Sequence, residues 1–157
     1  MKNVEGKMIE KIGMIILVAE LTVLGIEDIR YRKVSVKLLI IMLVGGVVFK
    51  VAEAINGGVL PCFTIIGILF GAGLSVAGYF SKAIGTGDGL VVIIMTLMTG
   101  GMTAMIIFII AITLAGGVAA VLLISKRVKR HYELPLIPFL WVSLIIVGTV
   151  SNLQTGL

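Results

Sequence analysis

Apolar residues run in long blocks along this chain, interrupted only by short clusters of charge or glycine. A helix that crosses the hydrocarbon core of a bilayer needs about 20 such residues. Four blocks suit that length: roughly Ile12 to Ile26, Val36 to Ile55, Cys62 to Phe80 and Leu136 to Ser151. A fifth runs from Gly89 to Ile124. As one helix it would reach about 54 Å, against a core of about 30 Å, so it must turn back once. Glycine tolerates the backbone angles that end a helix, and Gly100 and Gly101, between Thr99 and Thr103, predict the turn. Gly116 and Gly117 are a less favoured alternative. The break at Gly100 leaves Gly89 to Thr99 as a short fourth helix of about 17 Å, with its start sunk below the membrane surface. The expectation is an all-α fold: a polytopic membrane helix bundle of about six transmembrane helices with short loops, forming one membrane domain over residues 1–157.

Composition strengthens this picture. Of 157 residues, 59% are hydrophobic and 13% charged, about half the charged share of an average soluble domain, and the mean hydropathy is +1.22. A disordered chain and a disulfide scaffold are excluded. Cys62 stands alone, so neither an internal disulfide nor a cysteine–histidine zinc cluster is available. The net charge of +5 does not indicate a nucleic-acid partner, because the charge sits in short loops between apolar blocks and follows topology rules instead.

Arg30, Arg32, Lys33 and Lys37 follow the first block, Lys82 follows the third, and Lys126, Arg127, Lys129 and Arg130 follow the fifth. The positive-inside rule assigns these loops to the cytoplasm. The loop at 56–61 and the turn near Gly100 carry no Lys or Arg, so the alternation holds throughout and both termini are expected outside. Lys2, Lys7 and Lys11 argue mildly the other way. The first block ends in Leu24-Gly25-Ile26-Glu27 without a small-x-small cleavage pattern, so no removable signal peptide is expected.

Asp28 and Asp88 are the only aspartates. One ends the first helix and the other begins the fourth, so both fall at the cytoplasmic face. Ionisable groups at membrane depth are costly and by default mark function; by position alone, each reads equally well as an interfacial cap. Asp88 lies in Gly85-Thr86-Gly87-Asp88-Gly89, where flanking glycines leave the carboxyl uncrowded and let another chain's backbone approach. Two facing carboxylates at low dielectric share one proton. One then accepts a proton from water while the other polarises a peptide carbonyl. This is aspartic-protease chemistry, and it needs no metal, cofactor, cysteine or serine.

With these residues in this order, the sequence resembles the type IV prepilin peptidases and the archaeal preflagellin peptidases, membrane aspartyl proteases with a GxGD motif. Glu27-Asp28-Ile29-Arg30-Tyr31-Arg32-Lys33 matches the family's first aspartate and its basic loop, and Asp88 matches the GxGD aspartate, supported by Gly85, Gly87 and Gly89. Leu134-Pro135-Leu136-Ile137-Pro138-Phe139-Leu140 matches a late proline pair before the last helix. Two positions depart: Val34-Ser35 stands where an Ile-Pro pair is frequent, and Leu90 where a lysine is. The resemblance implies Asp28 and Asp88 as catalytic residues in a multi-pass protein of the cytoplasmic membrane. It also implies prepilin-like substrates (type IV pilin, pseudopilin or archaeal preflagellin) with a short basic leader before a hydrophobic helix. Larger bacterial members carry a zinc-binding cytoplasmic domain and N-methylate the new terminus; this chain has no room for it, so cleavage without methylation is expected.

Glu27 and Glu133 are candidates for reading a leader's positive charge, and each also reads as an interfacial residue or a partner for a nearby arginine. Glu20 is a third candidate: Glu27 and Asp28, seven and eight residues on, lie within about a quarter turn of its face, and it either lines the same cleft or is buried against another helix. Lys50 and Glu53, three apart, are expected to pair, with Lys50 reaching toward the outer surface. A different class of function stays open: a small transporter or ion-conducting protein with Glu20, Lys50, Glu53 and Asp88 along a polar path.

Overall fold

In a computed structural model, the backbone is described for residues 2–31, 34–55, 61–81, 86–125 and 135–155, and side chains for 12–31, 34–55, 61–80, 86–125 and 135–151. Six helices form: α1 Lys2–Tyr31, α2 Val36–Ile55, α3 Cys62–Ser81, α4 Thr86–Thr99, α5 Gly101–Ile124 and α6 Ile137–Thr155. The fold is an all-α helix bundle, as the hydropathy blocks predict. Gly85 and Glu133, the cationic residues at 32–33, 82 and 126–130, and the loop at 56–60 lie outside the described residues.

Three of the helices, over Val36–Ile55, Cys62–Phe80 and Gly101–Ile124, are long and apolar enough to cross a membrane. Their outward sides stay apolar: Val48, Leu69, Ile109 and Val121 are each more than 60% exposed. A belt of that size is stable only against lipid. The protein is a membrane protein.

The bounds of α2 and α3 follow hydropathy, whereas α1 does not stop where it does. Glu27, Asp28, Ile29 and Arg30 are all acceptable helix formers, so α1 continues past Ile26 and Asp28 sits in its closing turns rather than in a loop. The break falls at Gly100, whose φ of 83° and ψ of 155° are essentially restricted to glycine. Gly116 and Gly117 lie inside an unbroken α5. Helix α4 starts three residues earlier than its apolar block, which takes Asp88 into its first turn.

Helix α4 is the axis of the bundle. Val91, Val92, Ile94, Met95, Thr96, Leu97 and Met98 are all buried, which describes a helix enclosed on every side rather than one with a lipid face. It packs against α1, α2, α3 and α5, while α6 lies against α1 and α5. On α1 the buried large side chains are Leu17, Leu21 and Leu24, spaced by four and three as one helix face requires. They share one hydrophobic cluster with Val91, Val92, Met95, Ile137 and Leu140. Helix α3 meets α4 at near backbone contact: a side chain on Gly67 would strike Thr96, and one on Gly71 would strike the Gly89 carbonyl and Ile93. The spacing Gly67-x3-Gly71-x3-Ser75 is the small-residue pattern by which membrane helices approach closely.

Candidate active site

Four contacts define one end of the bundle. The backbone N–H of Ile137, the first residue of α6, is directed at the Asp28 carboxyl. Glu27 accepts one from the N–H of Ser35, which precedes α2, at 3.1 Å. Gly87, in the first turn of α4, lies against Leu39 in the first turn of α2. Gly25 lies against the Ile137 side chain. The closing turns of α1 and the N-termini of α2, α4 and α6 therefore share this end. Each of those N-termini carries partial positive charge on its unsatisfied N–H groups, an environment that favours anionic side chains.

Asp28 follows Leu24 by four residues and so continues the buried stripe of α1. Asp88 precedes Val92 by four and Met95 by seven, which puts it on a stripe of α4 that enters the same hydrophobic cluster. At the far end, Gly13 of α1 sits against the Met98 carbonyl of α4, so the two helices run antiparallel. From that contact Asp28 lies about 22 Å and Asp88 about 15 Å along the bundle, in the same direction. Both are half-buried. Asp28 lies two residues beyond the Ile26 limit of the first apolar block. Burial pushes its carboxyl above the usual aspartate range, and the Ile137 N–H pulls it part of the way back.

Gly89 explains why the aspartate motif ends in glycine. A side chain there would meet the Gly71 carbonyl oxygen and the Ser75 backbone nitrogen at 2.5 Å, and the Ser75 hydroxyl closer still. The first turn of α4 is thus seated against α3 backbone one residue beyond Asp88. Gly87 faces Leu39 and has room for a small side chain. Glu20 faces α2 at Gly45, and its Oε2 is buried with no hydrogen-bond partner among the described residues. Glu20 and Glu27 therefore point toward α2, whereas Asp28 points toward α6. Lys50 and Glu53 pair at 2.8 Å; Lys50 is only 9% exposed, packed into the bundle instead of reaching for the surface.

Sequence reasoning missed two parts of the site. The N–H of Ile137 is one; Pro138, which supplies no N–H to the first turn of α6, is its only sequence signal. The other is Trp141, whose indole N–H donates to Thr22 Oγ1 at 2.8 Å, while Thr22 Oγ1 donates to the Val18 carbonyl at 2.6 Å. This ties α6 to α1 one turn below Ile137.

A family model described as the type IV leader peptidase family matches residues 15–121, which takes in both aspartates. The chain belongs to the type IV leader peptidase family. No curated protein and no solved structure matches it. As a leader peptidase of this family it is a membrane protease. Leu90 packs on the core cluster, and Ser35 provides the N–H that Glu27 accepts, a donor that proline lacks.

Proposed function

We propose that this leader peptidase is an aspartic endopeptidase in which Asp28 and Asp88 form the catalytic pair. The observation that carries the reading is that both aspartates lie at one end of two adjacent antiparallel helices, each at the top of a stripe leading into the same core. The ionised member of the pair takes a proton from water, and the resulting hydroxide attacks the scissile carbonyl carbon. The protonated member hydrogen-bonds and then protonates the carbonyl oxygen. As the tetrahedral diol collapses and the C–N bond breaks, the aspartate that took the proton from water gives it to the leaving nitrogen, and the other aspartate takes back a proton from a diol hydroxyl, which restores one shared proton on the pair. The two apparent pKa values belong to the pair and not to either residue.

The substrates are prepilin-like membrane proteins with a short basic leader, cut at the cytoplasmic face without N-methylation. Leader contacts fall to Glu27, Glu133 and Glu20. The Glu27 bond to Ser35 leaves acceptor capacity, since a carboxylate offers about four lone-pair sites. The Lys50–Glu53 pair, closed on one helix, weighs against the transporter reading.

The reading is tested with purified protein and a pilin-type substrate carrying a basic leader. The expected products are a freed leader and a mature chain whose intact mass shows no added methyl group. Orientation has its own probe in Cys62, exposed at the start of α3, the end opposite the aspartates. A membrane-impermeant maleimide should label it from outside intact cells; labelling only from the cytoplasmic side would invert the orientation.

A further inference from the structure

Two stripes of α1 serve different neighbours. Leu17, Leu21 and Leu24 enter the core, whereas Gly13, Glu20 and Glu27, which follow one another by seven residues, stand against α2. Gly13 meets the Phe49 ring, Glu20 meets Gly45, and Glu27 takes the Ser35 N–H. Between those points the two helices hardly touch, because α2 rests on α4 and α1 rests mainly on α6. A furrow open to lipid is left between them. Ile16 and Val23, four residues before and three after Glu20, form one lip; Ile41 and Val48, placed the same way about Gly45, form the other, and all four are exposed.

Into this apolar furrow Glu20 brings a carboxyl whose Oε2 is buried and has no hydrogen-bond partner among the described residues. Its Oε1 lies 3.8 Å from the position that a Gly45 Cβ would take. A buried acceptor left open is costly, and an ionisable side chain at membrane depth marks a site by default. At its cytoplasmic end the furrow runs out beside Glu27 and the contact of Leu39 with Gly87, next to both aspartates.

We propose that the furrow between α1 and α2 seats the apolar helix of the substrate, with Glu20 a specificity-determining residue that accepts a hydrogen bond from a hydroxyl on that helix. This inference rests on the peptidase reading and narrows the role of Glu20 within it. Glu20 lies about 12 Å deeper than Asp28, so the part of the substrate that reaches it is the segment after the cut. A helix entering from the cytoplasmic face rises about 1.5 Å per residue, which puts the hydroxyl within about eight residues of the new N-terminus. Lipid tails compete equally for the apolar lips, so recognition between helices in the bilayer falls to hydrogen bonds and to close approach at small residues. Glu20 and Gly45 supply one of each.

The test uses a pilin-type substrate with an otherwise Leu-Ala helix, in which a single serine is moved through about the first ten residues after the cut. For the parent, kcat/KM should rise about threefold at one position, the average worth of an interhelical hydrogen bond in a membrane. The rise should be carried by KM, persist in Glu20→Gln, which keeps an acceptor, and vanish in Glu20→Leu. A flat scan, or a peak that survives Glu20→Leu, overturns the role of Glu20. Docking is read without catalysis in an Asp28→Asn, Cys62→Ser background. There Ile41→Cys should form a disulfide with a cysteine on the substrate helix, whereas Ile109→Cys, exposed on α5, should not; crosslinking at both positions or at neither overturns the furrow. If the parent cleaves while these tests fail, only this inference falls. A parent that cleaves no pilin-type substrate refutes the peptidase reading and this inference with it.

Discussion

Replacing Gly89 by alanine sets two opposed effects against each other, and the structure decides between them. Alanine at a helical glycine gains about 1 kcal/mol of intrinsic propensity. At Gly89, however, the new methyl group would sit 2.5 Å from both the Gly71 carbonyl oxygen and the Ser75 nitrogen. Those are backbone atoms of α3 and cannot swing aside as a flexible side chain would. Overpacking a tight contact typically costs about 1–3 kcal/mol, and a clash with backbone belongs at or above the top of that range, so the net effect is a loss of about 2 kcal/mol or more. Gly73, on the same α3, is the control. A methyl group added there would find nothing within 4 Å, so Gly73→Ala keeps the propensity gain without a clash. Thermal unfolding in one detergent, with the parent and both variants side by side, measures the difference. The clash also displaces the first turn of α4 and Asp88 with it. A misplacement of about 1 Å in a catalytic group can lower a rate by about 10²-fold, so Gly89→Ala should lose cleavage even at temperatures where it stays folded. If Gly89→Ala proves as stable and as active as Gly73→Ala, the α3–α4 contact does not seat Asp88.

Three further outcomes are expected. Gly100→Ala should destabilise by about 1–3 kcal/mol through backbone strain alone, because Gly100 combines a φ of 83° with open space around its Cβ position; Gly116→Ala, inside α5, should show no such loss in the same melt. Trp141→Phe removes the hydrogen bond to Thr22 and should cost about 0.6 kcal/mol, the average for interhelical bonds in membranes, and a Thr22→Val background should abolish most of that cost. Burial holds the Asp28 carboxyl above the usual aspartate range, so in an Asp88→Asn background, where Asp28 titrates without a coupled partner, its carboxyl band in the infrared should disappear at a pH above the ordinary aspartate value of about 4; loss of the band below that value contradicts the half-buried environment.

Much of the fold is written in hydropathy. The apolar block from Val36 to Ile55 is α2 itself, and the break at Gly100 follows from an apolar run too long for one crossing. Where hydropathy and structure differ, the cause is that hydropathy marks the membrane and not the helix. Glu27 to Arg30 are polar but helix-compatible, so α1 runs through them to Tyr31. Asp88 is legible through its glycines, although the need for Gly89 becomes specific only with α3 seated against it. The approach of the Ile137 N–H to Asp28 is not legible. Its partners are far apart in the chain, one of them is a backbone N–H that every residue except proline has, and only the antiparallel pairing of α1 with α6 brings them together. Trp141 and Thr22 are 119 residues apart and are hidden for the same reason.

The catalytic pair is tested most directly by cleavage of a pilin-type substrate by the parent, Asp28→Asn and Asp88→Asn, each shown to insert in the membrane and to melt like the parent. Asparagine keeps the size of the side chain and cannot carry the proton. Loss of cleavage in both single variants is the predicted result, and near-parent cleavage by either one would contradict the pair.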